Sequence, residues 1–277
     1  MKVRPLRTHY WRPGCDYVRA IAGAVQPYVK DGDIVVVSEK AVSTARGNLV
    51  DESSLSPSLT SRFLAHFWTR VVWGYFLGLL CRFRPPTIAH LRSYPLTEGS
   101  KHKELILQHA GLLHAFKYGS EGGVDLSNLP YSFASLPLKN SREDAEHIRE
   151  GIVRLTGRRA TVVVSDTDST FSLMGFHFTS RPRPLKGIHA FPGPFPFVVG
   201  RTLKLKQRAT PLAVAGASLH VETALNIAER AHHTRGYGAG RTIWDISKSQ
   251  NAKPSEVTWE MLESAKHFPI VLVRLGD

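Results

Sequence analysis

A chain of 277 residues with 36 Lys and Arg against 23 Asp and Glu, a formal net charge of +13, has room for one large or two modest domains around a substantial core. The positive side chains are scattered, densest at 154–159, 181–186 and 201–208, and no zinc-finger spacing or RNP-like segment accompanies them, so the charge points to small anionic molecules ahead of nucleic acid. Two cysteines, Cys15 and Cys81, without a CxxC pair argue against a disulfide scaffold, and the start MKVRPLRTHYWRPG has charge with no apolar core behind it, so a cytoplasmic setting is expected.

In chain order, a first helix is expected over residues 16–26, where Ala20, Ile21 and Val25 recur at helical spacing and Pro27 follows. Asp31, Gly32 and Asp33 make a turn into a strand at 34–37, and Lys40, Ser43 and Thr44 form a polar segment just past its end. A lysine there can meet a phosphate as a point charge or simply be solvated. Residues 58–81 read as a helix. Its uninterrupted apolar part, 71–81, is too short to cross a bilayer, and His66 and Arg70 interrupt the longer window. The better reading is a buried or dimer-facing helix, with Trp68, Trp73, Tyr75 and Phe76 giving large contact area.

Another helix is expected over 102–116, followed by GGVDLSN at 122–128. Two glycines there let backbone approach a ligand closely, and Asp125, Ser127 and Asn128 supply oxygens. The helix expected over 141–156 has Glu143 and Asp144 in its first turn, and Gly157 is placed to stop it. A strand at 162–164 then delivers Ser165, Asp166, Thr167, Asp168, Ser169 and Thr170 into what reads as a turn. Such an oxygen cluster suits magnesium or manganese, which take carboxylate, hydroxyl and water oxygens beside nucleotide phosphates. The competing reading is that Asp166 and Asp168 only cap the turn.

Residues 171–178 read as a returning hairpin strand, and the proline-rich 181–196 as a long ordered loop whose His189 can face substrate. ATPLAVAG precedes a helix at 217–231, which carries Glu222 as a further candidate ligand. The glycine-rich loop after it holds Gly236 and Gly238, whose amides can approach a phosphate. A helix at 255–267 and a closing strand at 270–274 complete a mixed α/β (α+β) chain. The expected division is a nucleotide- and metal-binding α/β domain from 1–170 plus 201–277, with 171–200 as a smaller inserted region or lid.

The order DGDIVVVSEKAVSTARG, GGVDLSN, an apolar strand ending in SDT, ATPLAVAG and a terminal PIVLVRLGD resembles the coenzyme F420-0:L-glutamate ligase (gamma-glutamyl ligase) family, of which this chain looks like a divergent member. That resemblance implies a role in coenzyme F420 biosynthesis and a two-part α/β fold in an intertwined homodimer. It implies GTP as co-substrate and two Mg2+ or Mn2+ ions, with formation of an amide between L-glutamate, or a related amine, and a phosphorylated, carboxylate-bearing acceptor. Carried across by position, Asp125 is similar to a catalytic metal-binding Asp, and Asp166 with Thr167 to the second metal-binding pair. Asn128 matches a guanine-nucleotide contact, Lys40, Ser43 and Thr44 a phosphate-touching segment, and Tyr10 and Trp11 an N-terminal nucleotide-contacting stretch. The departures are specific. The usual Ser-Lys-Ala-Glu-Gly is Ser43-Thr44-Ala45-Arg46-Gly47, and Asn-Ala-Gly is Glu121-Gly122-Gly123. The usual Asp-Thr-Phe-Gly-Arg is Asp166-Thr167-Asp168-Ser169-Thr170, which loses an arginine fork and gains Asp168 as a candidate ligand. A ligase of this kind needs positioning and charge stabilisation more than a protein nucleophile, in keeping with oxygen ligands as the matching elements.

Overall fold

Ile34, Val35, Val36 and Val37 are all buried, as a strand covered on both faces requires. The structure, a computed structural model, describes residues 1–236, 251, 253 and 256–276. Its elements run β1 (Lys2–Thr8), α1 (Tyr17–Val25), β2 (Ile34–Ser38), α2 (Glu39–Ala45), β3 (Leu49–Asp51), α3 (Leu59–Phe63), a π-wound stretch (Leu64–Leu77), α4 (Gly78–Leu80), α5 (Pro85–Arg92), α6 (Leu96–His109) and α7 (Leu112–Ala115). Then follow β4 (Phe133–Ser135), α8 (Ser141–Thr156), β5 (Thr161–Leu173), β6 (Phe176–Thr179), β7 (His189–Ala190), α9 (Phe195–Thr202), β8 (Lys206–Ala215), α10 (Val221–Arg235), α11 (Trp259–Ser264) and β9 (His267–Arg274).

The main sheet runs β1-β9-β2-β5, with β8 on the other edge of β5 and with β6 and β7 continuing from the far half of β5. β2 and β5 are parallel, from Ile34 opposite Thr161 to Ser38 opposite Ser165. On one face Ile21 and Val25 of α1 and Ile148 and Ile152 of α8 pack against Val35, Val37, Val162 and Val164. On the other, Ile227 and Ala231 of α10 pack against Ile34, Val36 and Val163. The period-two alternation of each strand divides its side chains between these two cores.

Locally, α1 and α8 form where expected. Asp16 accepts from Arg19 N at 2.9 Å and Asn140 from Glu143 N at 3.3 Å, while Gly157 ends α8 at φ +68°. The apolar segment 58–81 is helical, but through Leu64–Leu77 it is wound in wider π turns. Trp68 and Trp73, expected at a subunit interface, turn inward instead, and both indole N–H groups donate to the Phe116 carbonyl, at 2.6 and 2.8 Å. Phe63, Phe67, Tyr75, Phe76 and Leu79 remain on the outer face. The helix expected over 102–116 is divided at Gly111, where φ is +86°. No helix among the described residues is long and apolar enough to cross a membrane.

The largest correction concerns residues 165–170, which do not form a turn. β5 runs unbroken from Thr161 to Leu173, and its register against β8 slips so that Asp166 pairs with Thr210 and Ser169 with Ala209. Thr167 and Asp168 are the extra residues of a bulge, which re-aims the side chains around it. The hairpin beyond it, Thr170 opposite Thr179, carries the chain back to Ser180 and Arg181. Within 171–200, β6 and β7 join the main sheet, β7 from inside the loop expected over 181–196, and α9 begins at the end of that loop.

Candidate active site

β2 leaves the edge of β5 at Ser38, and β6 takes that edge up only at Thr170. Between those points, at the carboxyl end of the parallel pair, β5 presents Asp166 and Thr167 to a cleft of about 410 Å³. Ligands of α/β proteins bind characteristically at such strand ends. α2 starts immediately after β2, so Lys40 and Thr44 stand over the same opening, and the 122–128 loop contributes Asp125 and Asn128 to it. Tyr10, Trp11 and Gly236 also line it.

Ten residues expected from the sequence therefore meet: Tyr10, Trp11, Lys40, Thr44, Asp125, Ser127, Asn128, Asp166, Thr167 and Gly236. Gly238 lies outside the described residues. Ser43 does not reach the cleft, because it is fully buried and its hydroxyl donates to the Leu136 carbonyl. Asp168 does not reach it either. The bulge turns it inward to 4.0 Å from Lys117, and burial raises its carboxyl pKa to about 6, with Lys117 opposing the rise. Glu222 is held by Arg208 at 2.7 Å, and His189 stacks on Phe176 at a 4.6 Å centroid distance. Neither lines the cleft.

The loop bearing Asp125 is pinned at several points. Its backbone bridges Ser135, with Asp125 N 3.1 Å from Ser135 O and Ser135 N 2.9 Å from Asp125 O. The carboxylate accepts from Ser127 N at 2.7 Å and from Ser127 Oγ at 3.1 Å. Lys40 Nζ donates to Ser127 Oγ at 2.8 Å and sits 3.1 Å from Asp125 Oδ1. Burial lowers its pKa, against the pull of Asp125. Tyr10 donates its hydroxyl to the Asn128 carbonyl, and burial raises its pKa.

The Asp166 carboxylate accepts from Thr167 N at 2.6 Å and from Arg181 Nε at 2.6 Å. Arg181 Nη2 goes on to Glu39 Oε1 at 3.0 Å, which also accepts from Leu138 N at 2.6 Å. Burial raises the Glu39 pKa to about 7, against Arg181. Burial would depress the Arg181 guanidinium, but Glu39 and Asp166 hold it above its ordinary value. The hairpin thus brings Arg181 onto Asp166. Gly123 makes the approach possible: its φ is +89°, and a Cβ there would lie 2.5 Å from Arg181 Cζ.

Among the described residues no group of three or more His, Cys, Asp or Glu forms a cage for a metal. The donor set still fits a hard cation held jointly with phosphate and water, since Mg2+ commonly uses only one or two protein carboxylates and each carboxylate has lone pairs beyond the contacts above. Asp125, Asp166 and Thr167 are the residues that can hold it. Sequence reasoning missed other lining residues, among them Ser38, Ser120, Gln207, Arg235 and His267. His267 is kept neutral, its pKa lowered to about 4 chiefly by burial, and its Nδ1 sits 3.0 Å from the His9 carbonyl oxygen.

The family model described as F420-0:Gamma-glutamyl ligase matches residues 5–229. The chain belongs to the F420-0:gamma-glutamyl ligase family. It is a ligase-family enzyme, and the cleft just described lies mostly within the matched span. An uncharacterised protein of Methanocaldococcus jannaschii is 34% identical over 100% of this chain and 97% of its own. The coenzyme F420:L-glutamate ligase of the same organism is 30% identical over 50% of this chain and 49% of its own. That of Archaeoglobus fulgidus is 27% identical over 57% and 55%. The matches to the two named ligases thus span about half of each protein, while full-length similarity is to another protein of one of those organisms.

Proposed function

We propose that this protein is a GTP- and divalent-metal-dependent amide ligase of the gamma-glutamyl type, acting on a carboxylate-bearing, phosphorylated acceptor such as coenzyme F420-0. The observation that carries the reading is the convergence of Asp125 and Asp166, 41 positions apart in sequence, on one cleft at a strand end that Lys40, Tyr10 and Asn128 also line. In the proposed reaction an acceptor carboxylate oxygen attacks the γ-phosphorus and GDP leaves, giving an acyl phosphate. The amine nitrogen then attacks the acyl carbon, phosphate departs with the carbon–oxygen bond, and the amine proton is lost. Bound metal would neutralise phosphoryl charge. Lys40 steadies phosphate oxygens as a point charge. The buried Glu39–Arg181 pair holds Asp166 in its orientation, and neutral His267 adds no charge beside Tyr10 and Trp11.

The test is release of phosphate and GDP with Mn2+ and GTP. The reading requires turnover only when both an acceptor acid and an amine are present. Turnover with neither, or none with any acid and amine pair, would sink it.

A second reading is a nucleotide- and metal-binding protein of the same fold whose ligase activity is lost or changed. Its support is the contact between Arg181 and Asp166, together with full-length similarity to a protein other than the named ligase of M. jannaschii. It predicts a rise in unfolding midpoint with GTP and Mn2+ but no acceptor-dependent phosphate release. For either reading we propose a homodimer, supported by the exposed Phe63, Phe67, Tyr75, Phe76 and Leu79 on one helical segment. Sedimentation of the wild type and of Phe76→Glu tests it.

A further inference from the structure

The cations facing this cleft differ in how they are occupied. Lys40 is bonded to Ser127 and paired with Asp125, and Arg181, behind Asp166, is taken up by Asp166 and Glu39. Arg235, at the end of α10, is one of the residues lining the cleft, and its terminal nitrogens, Nη1 and Nη2, are shut off from solvent and without a hydrogen-bond partner among the described residues. Arginine in a last helical turn ordinarily serves the helix by bonding its end carbonyls. These nitrogens make no such bond. A guanidinium carries five donors in a planar fork, and leaving them unmet away from water is costly, so such groups are normally paired.

We infer that Arg235 is an oxyanion-binding residue of the cleft, its planar fork taking a phosphoryl or carboxylate group of a substrate. The inference rests on the nucleotide and acyl-acceptor reading above and adds a residue to it. Asp166 lines the same cleft, and its charge opposes the effect of burial on this guanidinium. The Asp-Thr motif lacks its arginine and Arg181 is used to hold Asp166, so Arg235 supplies the open fork that neither provides.

The experiment uses the full chain as wild type, Arg235→Met and Arg235→Lys. Unfolding midpoints and calorimetric affinities are measured with Mn2+ plus GTP, with tripolyphosphate and with L-glutamate, each alone. The expected result has two parts. Affinity for at least one probe falls about ten- to hundredfold in Arg235→Met, with partial retention in Arg235→Lys. The midpoint of unliganded Arg235→Met is equal to or above that of wild type, because an unpaired buried charge has been removed. Loss confined to tripolyphosphate and GTP identifies the anion as phosphoryl, and loss confined to L-glutamate identifies it as carboxylate. Wild-type affinity in Arg235→Met for every probe that wild type binds would overturn the inference and leave the ligase reading intact. So would a lower unliganded midpoint with binding unchanged, which marks a structural role. No response of wild type to any probe would overturn both.

Discussion

Arg181 Nε stands 2.6 Å from Asp166 Oδ2, although 15 residues and a β-hairpin separate them in sequence. The same guanidinium reaches Glu39 at 3.0 Å, so one buried cation holds two carboxylates from different elements. Removing it would leave both charges buried without their partner, a change that costs roughly 3–5 kcal/mol in comparable sites. Arg181→Met is expected to lose stability of that order in urea titrations. Arg181→Lys should recover part of it, because a point charge cannot reproduce the two-sided fork. An unchanged denaturation midpoint in Arg181→Met would show that the pair carries no structural weight.

The carboxylates near the cleft divide into two classes. Asp125 and Asp166 line it, and Asp168 does not. Asp125→Asn and Asp166→Asn should each abolish metal-dependent turnover with the fold preserved by circular dichroism. Asp168→Asn should leave Mn2+ affinity within about twofold of wild type, because its carboxylate faces Lys117 inside the protein. Calorimetric Mn2+ titrations of the three variants check this. A large affinity loss in Asp168→Asn would restore that residue to the metal site.

Legibility in the sequence followed the range of the interactions. β2 and α8 were readable because a β-branched run and a helical spacing bounded by Asn140 and Gly157 are local signals. β1 was not, since KVRPLRT at a sheet edge buries only Leu6 and shows little apolar alternation. β8 was recognised as a motif and not as a strand, partly because Pro211 sits within it. That proline is tolerated opposite Ser165, where the ladder is irregular. The inward turn of Asp168 depends on β5–β8 register, and the return of Arg181 depends on hairpin closure. Both are set by strand pairing, reaching from Val162 to Ala215 in the β5–β8 ladder, that no short motif encodes. Arg235 and His267 carry no pattern of their own, and their significance lies only in where α10 ends and β9 begins.

Gly123 is held to its identity by Arg181. A methyl at that position would lie 2.5 Å from the guanidinium carbon, and Arg181 is pinned by its two carboxylates and cannot swing away. Gly175 offers a matched control, with φ +84° and nothing near its missing Cβ. Gly175→Ala should cost about 1–2 kcal/mol, the penalty of a left-handed backbone alone. Gly123→Ala should cost that and roughly 1–3 kcal/mol more for overpacking, and should also reduce turnover by shifting Arg181 and with it Asp166. Equal losses in the two variants, read by urea denaturation, would argue against the contact.

The buried cluster behind the Asp125 loop gives the protein a signed pH dependence. His102 lies between Glu52, 2.6 Å from Nδ1, and Glu121, 2.9 Å from Nε2, and Lys103 reaches Glu121 at 2.7 Å. Burial alone would lower the imidazole pKa, but Glu121 and Glu52 overcome it and raise it to about 10, while Lys103 and His102 pull Glu121 below its ordinary value in spite of burial. The folded state therefore binds a proton that the unfolded chain releases near pH 6.5, so this stabilisation is complete below about pH 6.5 and is lost as pH rises toward 10. Its upper bound is roughly 5 kcal/mol at about 1.4 kcal/mol per pKa unit. For Glu121 the sign reverses, and stability falls as acid protonates it from about pH 4.5 downward. Wild type is expected to lose unfolding free energy between pH 7 and 10, measured by urea titration at each pH. His102→Gln should start lower and show a much flatter slope over the same interval, since the group that releases the proton is gone. Parallel pH profiles for the two proteins would mean that His102 is neutral in the fold.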